Sequence, residues 1–378
     1  MPTIFDLQKS DDVRDLIHQM VSRLVHGEVV GLPTETMYVV AAHALNEGAV
    51  HRLGQFVEKT ATSPFVLAVK GAQESLDYVP EMSMLGRKMI RRCWPGPITL
   101  EFPIHSDEGL IRSLPPPTRQ MLISHQSLAL RVPAHPVVQE ILNYLPAPLI
   151  LIPDRETGCA TATEAAGKYG EKIDVVLDDG PCRYSEPATI VRIDDDWSIV
   201  EPGVVSETTI RRLASEMFLF VCTGNTCRSP MAEGLFRKLL SVKLGCSEDE
   251  LVDRGYVVSS AGIAAGLGSP ANPYAIQTLA EKEIDLRSHE SQPLSLRLLE
   301  QADRIFVLTR SHAQAILAER PEYADRLELL SRTAADIADP IGGSMDDYLR
   351  CAEAIERELM QIVSELPLLP VQEKRSGS

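Results

Sequence analysis

The sequence predicts an α/β protein of two domains. Three observations carry that expectation. The chain has 378 residues, 44% of them hydrophobic, which is too long for one ordinary core and too apolar for a disordered chain. After residue 216, β-type apolar runs alternate with helix-period segments, the pattern of a parallel sheet covered on both faces. Near residue 213 an amphipathic segment gives way to the apolar run Met217-Phe218-Leu219-Phe220-Val221, which divides the chain into 1–212 and 213–378.

In the first domain, Asp11 to Val25 has helix character, and Gly27 to Leu32, stopped by Pro33, reads as a strand. Extended and helical segments then alternate, as in a twisted α/β sheet. Arg192 to Pro202 reads as a hairpin turning through Asp194-Asp195-Asp196, and Ser206 to Glu216 as a short amphipathic helix capped by Ser206. In the second domain, a helix is expected from Ser229, with Pro230 at its first position and Met231, Leu235 and Leu239 along one side. Strands are expected at Tyr256 to Ser259, Arg304 to Leu308 and Arg326 to Leu330, and a last helix at Ser344 to Leu366, stopped by Pro367. The order implies a doubly wound parallel sheet, which takes ligands beyond the carboxyl ends of its strands. The polar end, Gln372 to Ser378, is expected to fray.

Formal net charge is −16, shared as −10 over residues 1–210 and −6 over 211–378. Neither half is a generally basic nucleic-acid binder. One local cluster, Arg87, Lys88, Arg91 and Arg92 before Trp94, reads either as a solvated helix face or as an RNA phosphate contact. The seven cysteines are odd in number and scattered, so no disulfide framework is expected and a reducing cytoplasm is the default. Met1 to Val13 is acidic and does not read as a signal peptide, and no apolar run suits a membrane span. Cysteines and histidines lack paired ligand spacing, so no metal is expected.

The chemistry concentrates in Cys222-Thr223-Gly224-Asn225-Thr226-Cys227-Arg228-Ser229, between the apolar strand and the helix after it. Such a loop turns successive backbone N–H groups toward one point, and the helix amino-terminus adds positive potential, which suits a phosphoryl dianion. The same field favours a thiolate at Cys222. Arg228 can grip two phosphate oxygens, Ser229 can donate its hydroxyl to the sulfur, and Asn225 tolerates the left-handed turn that would hold the loop in shape. Thr223, Gly224, Thr226 and Cys227 complete the expected substrate-binding loop. Cys227 reads either as a small packing residue or as a redox partner of Cys222. Asp339-Pro340, in a loop before the last helix, supplies the candidate acid, its bland reading being a helix cap. The reaction would run through a phosphocysteine that water then hydrolyses, without a cofactor.

The stretch Val221 to Glu233 resembles the signature of the low-molecular-weight protein tyrosine phosphatases. Ser260-Ala261-Gly262, Ile284 to His289, Thr309-Arg310-Ser311-His312 and Asp339 to Ser344 match in family order, over roughly residues 216–366. The resemblance implies a phosphatase acting on phosphorylated proteins. His289 is expected to be a structural hydrogen-bonding group. Tyrosine-specific members carry aromatic residues after the Asp-Pro and a bulky aliphatic where this loop has Thr226. Here Ile341 and Gly342 follow the Asp-Pro, and Thr226 with Gly342-Gly343 resembles the protein-arginine-phosphatase branch, which leaves phosphoarginine and phosphotyrosine as the two candidate substrates. Arsenate reduction would need further cysteines, and Ile284 to Leu308 holds none.

In the first domain, Gly31 to Tyr38, Trp94 to Thr99, Leu128 to Pro133, Ala188 to Val191 and Pro202-Gly203 resemble the YrdC-like threonylcarbamoyl-adenylate synthases. The resemblance implies threonine, bicarbonate and ATP with magnesium as reactants of an active domain, and tRNA or a small molecule as its partner. Its phosphate-binding segment is altered. Val57, Lys59 and Ser63 stand where the family has Lys, Arg and Lys. Leu151 to Arg155 replaces a Ser-x-Ala-Asn segment, and Glu201 replaces a late basic residue. Thr36 and Arg131 remain as a candidate pocket for a small carboxylate or amino acid. The domain therefore reads as a degenerate synthase kept for binding, regulation or structure. The rival readings are an active threonylcarbamoyl-AMP synthase with an accessory phosphatase, and a metabolite sensor tuning the phosphatase.

Overall fold

The computed structural model describes residues 1–56, 65–104, 109–153, 158–333 and 335–367. Val57 to Pro64, Asp154-Arg155 and Gln372 to Ser378 lie outside the described residues. The chain divides into two compact units, Met1–Ile210 and Arg211–Ser378. The boundary expected after residue 212 thus falls two residues later than the division between the units. Among the described residues no helix is long and apolar enough to cross a membrane.

The strands of the first unit are β1 (Thr3–Asp6), β2 (Val30–Leu32), β3 (Val39–His43), β4 (Val66–Ala68), β5 (Ile98–Pro103), β6 (Ile123–Ser124), β7 (Ser127–Arg131), β8 (Leu149–Pro153), β9 (Val175–Asp178), β10 (Thr189–Ile193) and β11 (Trp197–Glu201). They form one mixed sheet in the order β1-β9-β2-β3-β8-β4-β7-β5-β10-β11, with β6 pairing β7. The sheet is accompanied by helices α1 (Val13–Val25), α2 (Glu47–Gly54), α3 (Ala72–Tyr78), α4 (Met84–Cys93), α5 (Pro116–Leu122), α6 (Pro136–Tyr144), α7 (Ala162–Tyr169) and α8 (Glu207–Ala214). On one face Ile17, Met20 and Leu24 of α1 and Val138, Ile141 and Leu142 of α6 join a core with alternate residues of β2, β3, β4 and β8. The expected first strand is shorter than Gly27 to Leu32, because Gly27 sits at φ 91° and turns the chain. The hairpin is present as antiparallel β10 and β11. Its first strand begins at Thr189, where pairing with Ile98 of β5 extends it beyond the local pattern.

The second unit alternates strand and helix: β12 (Glu216–Cys222), α9 (Arg228–Leu244), β13 (Tyr256–Gly262), α10 (Pro273–Ala280), α11 (Leu296–Gln301), β14 (Arg304–Val307), α12 (Arg310–Glu319), β15 (Leu327–Leu329) and α13 (Met345–Glu365). The sheet order is β13-β12-β14-β15, and every pairing is parallel. Period-two alternation in β12 places Phe218 and Phe220 in one core with α9 and α13, while Leu219 and Val221 enter a second core with Leu299 and Ile316. All four are completely buried. Phe218 and Phe236 meet at 4.8 Å and Phe220 and Phe306 at 5.5 Å between ring centroids, pinning the strand end that carries Cys222.

Among the element ends that differ from expectation, two flank the Cys222 loop and its strand. Glu216 belongs to β12, not to the preceding helix, since its N–H bonds Gly255 O and it pairs Tyr256. Helix α9 starts at Arg228 with Cys227 as N-cap, so Pro230 is its third residue. Its missing N–H costs nothing there either, because the first turn has no intrahelical acceptors for those hydrogens.

Candidate active site

The order β13-β12-β14 makes the chain leave β12 on one side and return on the other. This puts a crevice at the carboxyl ends of β12 and β14. The loop from Cys222 to Cys227 lies there. At the rim of the sheet Gly262, paired with Cys222, lets this loop pass: a Cβ on it would come within 2.5 Å of Thr223 O and 2.9 Å of the Asn225 nitrogen.

The loop is built around Asn225, a non-glycine residue at φ 52° and completely buried. Its backbone N–H points at Cys222 Sγ, 3.2 Å away. Its Nδ2 donates to Ser229 Oγ (2.9 Å) and Ser260 Oγ (2.8 Å), and its Oδ1 accepts from the Gln292 backbone N–H at 2.9 Å. His289 Nε2 reaches its carbonyl at 2.8 Å, the structural bond expected of that histidine. Ser229 Oγ accepts from Asn225, and its own hydrogen has two acceptors, Cys222 Sγ at 2.9 Å and, farther off, Ala261 O at 3.4 Å. Behind Ser260 stands Glu233, whose Oε2 accepts the Ser260 hydroxyl at 2.6 Å. Burial pushes the Glu233 carboxyl above its ordinary range, against the Ser260 hydroxyl that lowers it.

Arg228, buried at the start of α9, donates Nη1 to Ile337 O at 3.3 Å and pairs through Nη2 with Asp339. The segment carrying the acid is tied to the sheet by Ile337 N–H on Leu308 O, 2.9 Å. Ser344, not Asp339, caps α13, in a reciprocal box with Asp347. The capping reading of Asp339 therefore fails. Thr223 Oγ1 lies 3.0 Å from His312 Nε2. Burial first, and Arg228 next, push the His312 imidazole down to about 4. Thr226 is half-buried, its Oγ1 3.7 Å from Cys227 Sγ. Cys227 Sγ is 3.3 Å from Tyr348 OH, and all the cysteines are free thiols. Burial, ahead of Cys227, pushes the Tyr348 phenol up, and burial also takes Cys351 to about 12.

The structure thus gathers Cys222, Thr223, Asn225, Thr226, Cys227, Arg228, Ser229 and Asp339 at one crevice, with Gly224 in the loop between them. Ser260, Gln292, Glu233 and His312 join them, although sequence gave them no role. Ser260 and His312 do stand inside the segments that resemble the phosphatases. Glu233 closes the signature stretch itself, whereas Gln292 carries no local signal of its part.

In the first unit, Arg131 Nη2 lies 3.0 Å from Thr36 Oγ1 and 2.9 Å from Glu35 Oε1. The Glu35–Arg131 pair is buried on both sides, with side-chain exposures of 9% and 4%. The second Glu35 oxygen takes the Ala134 N–H at 3.0 Å. The arginine expected to receive a ligand's carboxylate already holds one from its own chain. The stretch expected to meet ATP phosphates, Val57 to Ser63, lies outside the described residues. Glu201 ends β11. Of the basic cluster on α4, Lys88, Arg91 and Arg92 are half-buried and engaged with the rest of the protein, and Arg87 alone is exposed.

Comparison with known proteins agrees with this division. The family model for telomere recombination (the Sua5, YciO and YrdC proteins) matches residues 22–203. A threonylcarbamoyl-AMP synthase of Photobacterium profundum is 28% identical over 169 residues, 43% of this chain and 86% of that protein. A protein-arginine-phosphatase of Bacillus subtilis is 38% identical over 152 residues, 39% of this chain and 95% of that protein. The crystal structure of a low molecular weight protein tyrosine phosphatase from T. tengcongensis is 33% identical, covering 40% of this chain and 100% of its own, with a TM-score of 0.36. The family model of the low molecular weight phosphotyrosine protein phosphatases matches residues 217–369, and through this part the chain belongs to that family.

Proposed function

We propose that the second unit hydrolyses phosphoarginine in proteins. Cys222 Sγ attacks phosphorus as the P–N bond breaks, and Asp339 gives the leaving guanidine its proton. Water then attacks the phosphocysteine, Asp339 takes the water's proton, and phosphate leaves with the thiolate restored. Loop amides and Arg228 take the charge of the transferred group. The carrying observation is the convergence of Ser229 Oγ and the Asn225 N–H on Cys222 Sγ, at the mouth of a helix whose first residue pairs with Asp339.

The residues just after Asp339 support the preference for arginine. Ile341 is exposed and Gly342 stands at φ 77°, where an aromatic wall for a phenyl ring would otherwise be expected. Thr226 adds a small polar edge, and the Bacillus subtilis relative carries the same activity in its name. A side-by-side assay of phosphoarginine and phosphotyrosine peptides tests the reading. Higher kcat/KM on phosphoarginine is expected, with no turnover by Cys222→Ser. Higher kcat/KM on phosphotyrosine would overturn it. Thr226→Ile should move the ratio toward phosphotyrosine.

For the first unit we infer a binding or structural module rather than an active synthase, since Arg131 is neutralised by Glu35. ATP consumption dependent on threonine and bicarbonate, with or without added tRNA, would refute this. A phosphatase rate that responds to threonine without its turnover would make the unit a sensor.

A further inference from the structure

His312 lies outside the loop, at the start of α12, yet it is buried and reaches into the crevice. Its ring protons follow from which way the Thr309–Ser311 hydroxyl pair points, taken here with Ser311 as the donor. Thr309 Oγ1 accepts from the His312 backbone N–H and stands 2.8 Å from Ser311 Oγ and 2.9 Å from His312 Nδ1. With Ser311 as the second donor, both lone pairs of Thr309 are used and its hydrogen goes to Nδ1. A neutral ring that accepts at Nδ1 carries its hydrogen on Nε2. Nε2–H then donates to Thr223 Oγ1, 3.0 Å away. That leaves the Thr223 hydroxyl hydrogen unspent, on an exposed residue next to the nucleophile.

We propose that His312 is a positioning residue of the phosphate loop: it holds the Thr223 hydroxyl as a hydrogen donor to the phosphoryl group bound at Cys222. The inference depends on the reading of Cys222 as nucleophile. Were Nε2 the acceptor, Thr223 would spend its hydrogen inside the protein and offer the phosphoryl group only lone pairs. Low basicity of the ring, from burial and from Arg228, keeps it in the neutral form across the working range.

The test is a double-mutant cycle on the full chain with the preferred phosphopeptide, together with inhibition by inorganic phosphate. Thr223→Val and His312→Leu are each expected to lower kcat/KM roughly ten- to a hundred-fold, the span of one hydrogen bond to a charged group. The double variant should be no worse than the poorer single one. His312→Gln, whose amide nitrogen can occupy the Nε2 position, should recover most of the loss, and phosphate inhibition should weaken in parallel. Multiplying effects in the cycle, or a Gln variant as poor as Leu despite an unchanged melting temperature, would overturn the proposal. Absence of phosphatase activity in the unmutated chain would instead refute the assignment of Cys222.

Discussion

Replacing Asn225 by alanine tests the construction of the site. Three side-chain hydrogen bonds disappear, to Ser229, Ser260 and the Gln292 N–H. At about 1 kcal/mol net for each, the loss is about 3 kcal/mol. Alanine must also hold φ near 52°, a left-handed conformation that costs about 1 kcal/mol more. Asn225→Gly removes the same bonds but tolerates the turn, so it should be milder by up to about 1 kcal/mol. Both tryptophans, Trp94 and Trp197, belong to the first unit, so intrinsic fluorescence is a poor reporter here. Calorimetry of the full chain is the suitable assay, tracking the transition that Cys222-loop variants move. The alanine variant's loss of about 4 kcal/mol should lower that transition by roughly 8–16 °C, and kcat/KM should fall with it, because the backbone N–H at position 225 no longer aims at the sulfur. An alanine variant that melts with the wild type, or a glycine variant worse than the alanine, would refute the reasoning.

Other perturbations separate the remaining roles. Asp339→Asn should lower kcat at least about 100-fold, as loss of a general acid does, while inorganic phosphate should inhibit several-fold more tightly. An anion has then left Arg228, and about 1 kcal/mol of repulsion survives solvent screening; unchanged phosphate inhibition would contradict the pairing. The His312 ring, held at about 4 against 6.5 unfolded, binds its proton only in the unfolded chain between those values. Stability should therefore rise with pH from 4 to 6.5 by up to about 3 kcal/mol, and His312→Leu should flatten that slope in calorimetry. Glu35→Gln leaves a buried guanidinium without its countercharge and should cost the first unit about 3–5 kcal/mol. The double change with Arg131→Met should cost less than that single one, and a larger loss would contradict the pairing.

How far the sequence could be read depended on how far apart the interacting residues lie. The Cys222 loop is contiguous, and each of its roles comes from a local rule: strand before, helix after, thiol at the start, guanidinium at the end. Asp339 was reachable because a carboxylate before a proline stands out in a loop. Support for the loop is different. Asn225 is held by Ser260, His289 and Gln292, which are 35, 64 and 67 residues away, and no periodicity relates such positions. Gly262 reads as an ordinary strand end until Thr223 O is seen passing 2.5 Å from where its Cβ would stand. In the first unit the alternation of extended and helical segments was legible. The mixing of parallel and antiparallel pairs in its sheet was not, because strand direction is set by crossovers rather than by side-chain pattern. Glu35 carries no local signal for a related reason: its partner Arg131 is 96 residues distant.

Two arginine–carboxylate pairs in this chain show why one makes a site and the other a strut. Arg228 and Arg131 are almost equally buried, with side-chain exposures of 6% and 4%. Their partners differ. Asp339 is 40% exposed, and among the described residues its other oxygen takes the Ile341 N–H of its own turn at 3.2 Å. It can turn to water, releasing Arg228 to an incoming phosphoryl group, and remain nearby to move a proton. Glu35 is 9% exposed, and its other oxygen is fixed by the Ala134 N–H. Withdrawing it would strand a buried cation and a backbone donor together, at several kcal/mol by the usual cost of orphaned buried groups. On the proposed function, an anionic ligand exchanges more readily for Asp339 than for Glu35.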